Sequence, residues 1–133
     1  MTDTNATKIK VLVIDDDDLV RDTLEAILES GGFEVELASG GLELEKRLET
    51  FVPDVLITDI FMPRMDGIEV IRDVRKKFPD IKIIAMSGTG HVENAEGKPM
   101  MLEMAKGIGA TASIQKPFRP KDITDIVTEL AGT

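Results

Sequence analysis

Four apolar segments of this chain each end on residues that could bind a phosphoryl group or a metal ion. The first ends on Asp15 and Asp16, the second on Asp59 and the third on Ser87, whereas the fourth ends on Lys116. If these segments are parallel strands, their carboxyl ends lie along one edge of a sheet, which is where open parallel sheets bind ligands. Carboxylates, a hydroxyl and an ammonium group gathered there would suit the transfer of a phosphoryl group onto a carboxylate.

Predicted strands and helices alternate throughout the chain and would bring these residues together. Apolar runs predict strands at 9–14, 33–38, 55–58, 81–86 and 111–115, and periodic apolar positions predict helices at 18–30, 41–51, 67–78, 100–108 and 120–130. The strands are apolar nearly throughout, which is typical of a parallel sheet covered by helices on both faces. We therefore expect an α/β fold built from right-handed strand–helix–strand units.

The composition limits the classes of function. The 133 residues carry a net charge of −9, because 25 acidic residues outnumber 16 basic ones. This balance argues against direct nucleic-acid binding, which needs clustered Lys and Arg. The absence of cysteine excludes disulfides, thiol nucleophiles and cysteine-bound zinc. Residues 1–7 lack the apolar core of a signal peptide and no apolar run approaches the ~20 residues of a membrane span, so we expect a cytoplasmic protein with no membrane partner.

The acidic residues predict a magnesium site if the first and third strands are neighbours in the sheet. Two carboxylates about 4 Å apart then repel each other by roughly 4 kcal/mol at an effective dielectric constant of about 20. A divalent cation relieves that repulsion, and a site with few carboxylates and room for water suits Mg²⁺. The alternative is that the run from Asp15 to Asp18 only caps the first helix, and we prefer that interpretation for Asp17 and Asp18.

Two further side chains could serve the same site. Lys116 directly precedes Pro117 at the end of its strand, where a compact ammonium group can pair with Asp59 at rest and with a phosphoryl oxygen afterwards. Ser87 can donate a hydrogen bond to another phosphoryl oxygen. Alone, Lys116 could be an ordinary surface lysine and Ser87 a loop cap, so the prediction depends on the combination.

The complete set of motifs resembles the receiver domain of two-component response regulators, of the chemotaxis-regulator type. The resemblance spans roughly residues 8–131 and rests on motifs at the ends of four strands: Asp15-Asp16, Asp59 with Met62-Pro63 and Met65-Asp66-Gly67, Ser87, and Lys116-Pro117-Phe118. It implies a flavodoxin-like α/β fold, in which a doubly wound five-stranded parallel sheet of order 2-1-3-4-5 is flanked by five helices. It also implies a single receiver domain over residues 1–133.

The same resemblance implies a role for each acidic residue. Asp59 would be the phosphoacceptor. Asp16 and Asp59 would bind Mg²⁺ directly, together with the backbone carbonyl of Phe61 and water molecules. Asp15 would act on the metal mostly through water.

The resemblance further implies a mechanism and partners. Ser87 takes the position of the switch hydroxyl and Lys116 that of the family's lysine, with a cis peptide bond between Lys116 and Pro117. The phosphoryl donor would be a sensor histidine kinase or a histidine phosphotransfer protein. Phosphorylation would change the surface of the fourth helix, fifth strand and fifth helix for a downstream protein or an output domain missing from this chain. Such a domain catalyses only its own phosphorylation and dephosphorylation, so we do not expect an enzyme in the usual sense.

Two features depart from the family pattern. Ser113 lies three positions before Lys116, where receivers commonly carry an aromatic residue whose rotation reports phosphorylation. The segment between Ser87 and Lys116 is several residues longer than the family norm. This length places the loop at 88–99 beside the site and predicts a displaced or shortened fourth helix.

Two other functions remain open at this point. Asp15-Asp16-Asp17 after an apolar strand superficially resembles the start of haloacid-dehalogenase-like phosphatases, which would make Asp15 the nucleophile. Those enzymes usually have a longer chain and a distal acidic pair, which the segment after Asp59 lacks. The second alternative is a receiver-like interaction module that is never phosphorylated.

Overall fold

A five-stranded parallel sheet forms the centre of the protein, in a computed structural model that describes residues 8–62, 65–87 and 100–132. For residues 61, 62, 65, 66 and 100–102 only the backbone is described. The strands of the sheet are β1 (Lys10–Ile14), β2 (Glu34–Ala38), β3 (Val55–Asp59), β6 (Lys82–Ser87) and β7 (Ala112–Gln115). Their order is β2-β1-β3-β6-β7 and every pairing is parallel. Counted within the sheet this is the order 2-1-3-4-5, which confirms the expected fold.

The five predicted helices are also present. They are α1 (Asp18–Ser30), α2 (Gly41–Thr50), α3 (Gly67–Lys77), α4 (Met100–Gly107) and α5 (Pro120–Ala131). Helix α2 ends one residue before the predicted boundary, because Phe51 leaves the helical conformation and becomes its buried C-cap. Helix α4 has 8 residues and is the shortest helix in the described ranges. That it is displaced or shortened relative to the family norm stays a prediction. The predicted loop at 88–99 lies outside the described residues.

Two apolar cores lie on opposite faces of the sheet. Leu12 of β1 packs in one core with residues of α2, α3 and α4, whereas the adjacent Val13 packs in the other core with residues of α1 and α5. Residues 11–14 and 55–58 are buried completely, which explains why these strands have no polar face. Burying one large aliphatic side chain contributes about 1.5–3 kcal/mol, so the two central strands anchor the ends that carry the candidate site.

A short ribbon separates the third strand from α3. Its strands β4 (Phe61–Met62) and β5 (Met65–Asp66) pair antiparallel, with Phe61 opposite Asp66. We predicted a proline-containing turn here and not a ribbon, since two-residue strands produce no alternating pattern. Pro63 lies outside the described residues.

Within the described residues, no helix combines the length and the apolar character that crossing a membrane requires.

Candidate functional site

The register of the sheet brings the predicted site residues to one edge. Ile14 of β1 pairs with Thr58 of β3, so the next residues on these strands, Asp15 and Asp59, lie side by side at the edge of the sheet. Ser87 at the end of β6 pairs with the last residue of β7, directly before Lys116. The Lys116 amide donates a hydrogen bond of 2.7 Å to the Ser87 carbonyl, which joins the last two strand ends.

The centre of the site is a cluster of two carboxylates and one ammonium group. The Lys116 Nζ lies 2.6 Å from Asp59 Oδ2 and 3.7 Å from Asp15 Oδ2. Asp59 is 6% exposed and Asp15 is 1% exposed, whereas the Lys116 side chain is 22% exposed. The expected resting pair of Lys116 and Asp59 is therefore present. One positive charge faces two carboxylates, so the negative charge of the cluster is only partly neutralised and would attract a further cation.

Asp15 is the member of this cluster whose negative charge is least favoured by its surroundings. Its Oδ1 accepts a hydrogen bond of 2.9 Å from the Asp17 amide, but its buried Oδ2 has no hydrogen-bond partner among the described residues. The pKa of the Asp15 carboxyl is raised to about 6, mainly by burial. The hydrogen bond from the Asp17 amide and the charge of Lys116 lower this pKa, and the charge of Asp59 raises it. A cation bound here would favour the charged form of Asp15.

The loop between β1 and α1 carries four successive aspartates that divide into two groups. Asp17 is the N-cap of α1, where its Oδ1 accepts from the amides of Leu19 at 2.9 Å and Val20 at 3.3 Å. Asp18 lies in the first turn of the helix. The helix-start interpretation is confirmed for both residues. Asp16 lies in the loop before them and is half-buried, next to Asp15 at the edge of the site.

Ser87 is almost completely buried at 1% exposure, and its Oγ has no hydrogen-bond partner in the described part of the chain. A hydroxyl in this state is free to donate to a new acceptor. The peptide bond between Lys116 and Pro117 is cis, which confirms that expectation. Ser113 lies half-buried on β7 opposite Ala85, so no aromatic ring occupies its position.

Gly67 lies very close to the backbone of Asp59 and Ile60, which was not predicted from the sequence. A Cβ atom on Gly67 would lie 2.2 Å from the carbonyl oxygen of Asp59 and 2.6 Å from the Cα of Ile60. The Gly67 amide also donates a hydrogen bond of 3.2 Å to the Ile60 carbonyl. The start of α3 thus rests directly on the backbone that carries Asp59. The signal in the sequence is Gly at the first helical position, where it is not a preferred helix former.

The donor groups suit Mg²⁺ better than a metal enclosed by protein ligands. No cluster of three or more His, Cys, Asp or Glu side chains able to hold a metal occurs among the described residues. Mg²⁺ commonly uses one or two carboxylates and keeps several water molecules. The Asp15 and Asp59 pair fits it, because the buried Asp15 Oδ2 has an ion-pair contact with Lys116 but no hydrogen-bond partner among the described residues. Phe61 lies in β4, two residues after Asp59, and a role of its carbonyl in metal binding stays a prediction.

Comparison with known proteins gives consistent matches. The family model described as "Response regulator receiver domain" matches residues 11–128. Response regulator MprA of Mycobacterium ulcerans (strain Agy99) is 33% identical over 117 residues, which are 86% of this chain and 47% of that protein. The chain thus spans about half the length of the curated relatives it matches.

Solved structures agree with these sequence matches. A receiver domain protein from Clostridium thermocellum superposes with a TM-score of 0.81 at 28% identity, covering 93% of this chain and 94% of the other. Chemotaxis response regulator CheY4 of Vibrio cholerae superposes with a TM-score of 0.77 at 30% identity, covering 93% of this chain and 99% of the other. The matched range includes every strand end of the site, and the chain therefore belongs to the receiver domain family of two-component response regulators.

Proposed function

We propose that this chain is the phosphoaccepting receiver of a two-component phosphorelay, in which Asp59 takes a phosphoryl group from a sensor histidine kinase or a histidine phosphotransfer protein. The observation that carries the proposal is the Lys116 Nζ, held 2.6 Å from Asp59 Oδ2 and 3.7 Å from Asp15 Oδ2. An ammonium group in this position lies where negative charge accumulates during phosphoryl transfer.

The proposed reaction is a displacement at phosphorus. A carboxylate oxygen of Asp59 attacks in line with the phosphorus–nitrogen bond of the donor's phosphohistidine. The new phosphorus–oxygen bond forms as that bond breaks, and the electron pair leaves with the imidazole. Lys116 then pairs with a phosphoryl oxygen instead of the free carboxylate. Because Asp59 is 6% exposed, its surroundings exclude most water and strengthen this charge pairing.

The groups that would hold Mg²⁺ are the carboxylates of Asp15, Asp16 and Asp59 and the backbone carbonyl of Phe61, with Asp15 acting mostly through water. When bound, Mg²⁺ would neutralise charge on the phosphoryl oxygens. The support for this assignment is the buried Oδ2 of Asp15 beside Asp59, which accepts no hydrogen bond from the described residues. Repulsion between these two carboxylates leaves the metal-free site poorly compensated.

The proposed switch acts through Ser87. Its buried Oγ has no hydrogen-bond partner among the described residues, and a phosphoryl group on Asp59 would supply an acceptor. Since the Lys116 amide bonds to the Ser87 carbonyl, a shift of the end of β6 is passed to β7. The new hydrogen bond would favour a second arrangement of the surface formed by α4, β7 and α5. Ser113 provides no aromatic ring for that response.

The wider setting is part of the same proposal. We expect residues 1–133 to act as a single receiver domain in the cytoplasm that binds no nucleic acid or membrane itself. It would catalyse only its own phosphorylation and dephosphorylation. Its downstream partner would be a separate protein or an output domain of a longer protein, since the curated relatives are about twice as long.

Treatment with acetyl phosphate and Mg²⁺, followed by mass spectrometry of the intact protein and its peptides, tests the proposal. We expect one phosphoryl group on Asp59, none on Asp59→Asn, and normal labelling of Asp80→Asn. The Asp80 side chain is exposed and precedes the amino end of β6, whereas the site residues lie at the carboxyl ends of the strands. Label on Asp15 would instead support the phosphatase alternative. A protein that stays unlabelled would support the interaction module.

A further inference from the structure

Arg21 of α1 makes an unusual pair of contacts with the acidic loop. Its Nη1 donates a hydrogen bond of 2.6 Å to the backbone carbonyl of Asp15, and its Nη2 pairs with the Asp18 carboxylate. Although it is charged, the Arg21 side chain is only 15% exposed, whereas the Asp18 side chain is 86% exposed. The guanidinium therefore lies beneath the loop and bridges the first and last of four successive aspartates.

This contact differs from the one made by Lys116. Lys116 approaches the side chain of Asp15, whereas Arg21 holds its main chain. A planar guanidinium with several fixed donors can bind a carbonyl and a carboxylate at the same time, which a single ammonium group does less well. The direction of the Asp15 and Asp16 side chains depends on the backbone that Arg21 holds.

The surroundings of Arg21 extend to the neighbouring loop. The Asp15 amide donates to the Ala38 carbonyl at the end of β2, and the Ser39 amide donates to Glu43 Oε1 at 2.6 Å. The pKa of the Glu43 carboxyl is lowered first by that Ser39 amide and also by the charges of Arg47 and Arg21. Arg21 thus binds the loop after β1, and its charge also acts on Glu43 near the end of β2.

We propose that Arg21 is a positioning residue of the phosphorylation site, which sets the affinity for Mg²⁺ by fixing the backbone of the loop that carries Asp15 and Asp16. This inference rests on the proposed function, because it assigns those aspartates to the metal. Residues that orient metal ligands typically change metal affinity by about 10–100-fold when they are removed.

Electrostatics and positioning predict opposite results for the loss of Arg21. If only charge matters, removing a cation beside an acidic site strengthens the binding of Mg²⁺. If Arg21 positions the loop, its loss weakens that binding. The sign of the change therefore separates the two explanations.

The test measures Mg²⁺ binding to the metal-free chain by calorimetry at constant ionic strength, with the fold checked by amide NMR spectra. We expect Arg21→Gln to weaken binding by about tenfold and Arg21→Lys, which keeps the charge, to weaken it by a smaller factor. The matched control is Arg72→Gln, because Arg72 forms a similar pair with Glu69 three residues earlier on α3, with the Arg72 side chain 59% exposed. The Arg72→Gln variant should bind Mg²⁺ with the same affinity as the unchanged protein.

A kinetic measurement provides a second readout. With acetyl phosphate as donor, Arg21→Gln should need more Mg²⁺ for half-maximal labelling but should approach the unchanged rate at saturating Mg²⁺. Unchanged or tighter Mg²⁺ binding by Arg21→Gln, or an equal loss in Arg72→Gln, would overturn the inference. If the unchanged protein binds Mg²⁺ but is never labelled, the proposed function fails while the calorimetric result for Arg21 stands.

Discussion

The Lys116 Nζ lies 2.6 Å from Asp59 Oδ2, although the two residues are 57 positions apart in the chain. The contact exists because β3 and β7 end at the same edge of the sheet, with β6 between them. It places the single ammonium group of the cluster between the carboxyls of Asp59 and Asp15. The pKa of the Asp15 carboxyl is raised, mainly by burial.

Replacing Lys116 should destabilise the resting protein as well as impair phosphorylation. We expect Lys116→Met to lower the free energy of unfolding by about 2 kcal/mol at neutral pH, less than for a fully buried pair because the lysine is 22% exposed. Urea denaturation measures this change. Lys121→Met is the control, since Lys121 is 79% exposed and its pair with Asp125 should contribute little. The double variant Lys116→Met/Asp59→Asn should recover much of the loss. A Lys116→Met loss no larger than that of Lys121→Met would refute the prediction.

The raised pKa of Asp15 should make the metal-free protein less stable as the pH rises. The Asp15 carboxyl has a pKa of about 6 in the folded protein against an ordinary 3.8, so the folded state binds more protons between these values. Its contribution to stability is therefore fully present below about pH 3.8 and is lost as the pH rises through about 6. Denaturation in the presence of a chelator, compared at about pH 5 and about pH 7, detects this slope.

Asp15→Asn should remove the fall in stability with rising pH. It should also stabilise the metal-free protein, whereas most substitutions of buried residues destabilise. One pKa unit corresponds to about 1.4 kcal/mol, so the variant should gain about 1–3 kcal/mol of stability at neutral pH without metal. It should also lose much of the stabilisation that Mg²⁺ gives the unchanged protein. Thermal melts with and without Mg²⁺ measure both effects. A metal-free variant less stable than the parent would show that the burial of Asp15 is not the dominant cost.

Gly67→Ala should disturb the end of β3, the strand that carries Asp59. The added Cβ would lie 2.2 Å from the Asp59 carbonyl oxygen, which is backbone and cannot rotate away. We expect a loss of about 1–3 kcal/mol in the free energy of unfolding and slower labelling of Asp59. Gly107→Ala at the end of α4 is the matched control, because a Cβ there meets nothing within 4 Å and should be neutral or slightly stabilising. Equal melting temperatures for the two variants would count against the close approach.

Ser87→Ala should separate the resting state from the switch. Because the Ser87 Oγ has no hydrogen-bond partner in the part of the chain that the structure describes, its loss should change the free energy of unfolding by less than about 1 kcal/mol. The amide NMR shifts that phosphorylation causes in α4 and β7 should become smaller. Ser113→Ala serves as the control and should keep the full response. The prediction fails if the two variants respond alike.

Much of the fold was predictable because it depends on local and periodic properties. Long apolar runs such as 55–58 predict buried parallel strands, and the residues that follow such runs lie at the ligand-binding edge. Asp15, Asp59, Ser87 and Lys116 could thus be assigned to one edge from their positions after strands. The strand order itself came from the family resemblance, since no property of a single strand specifies its neighbours.

The order of residues along the chain was sufficient to predict the alternation of strands and helices, the residues at the strand ends and the caps of the first helix. Three contacts depend on the packing of the whole domain and could not be predicted. Asp15 Oδ2 is buried without a hydrogen-bond partner among the described residues, Gly67 lies against the backbone of Asp59, and Arg21 binds the acidic loop. Periodicity reports which face of an element is apolar, and it carries no distance between polar atoms of different elements. Those distances arise when all the helices pack on the sheet at once, so they set the pKa of Asp15 and the position of Lys116.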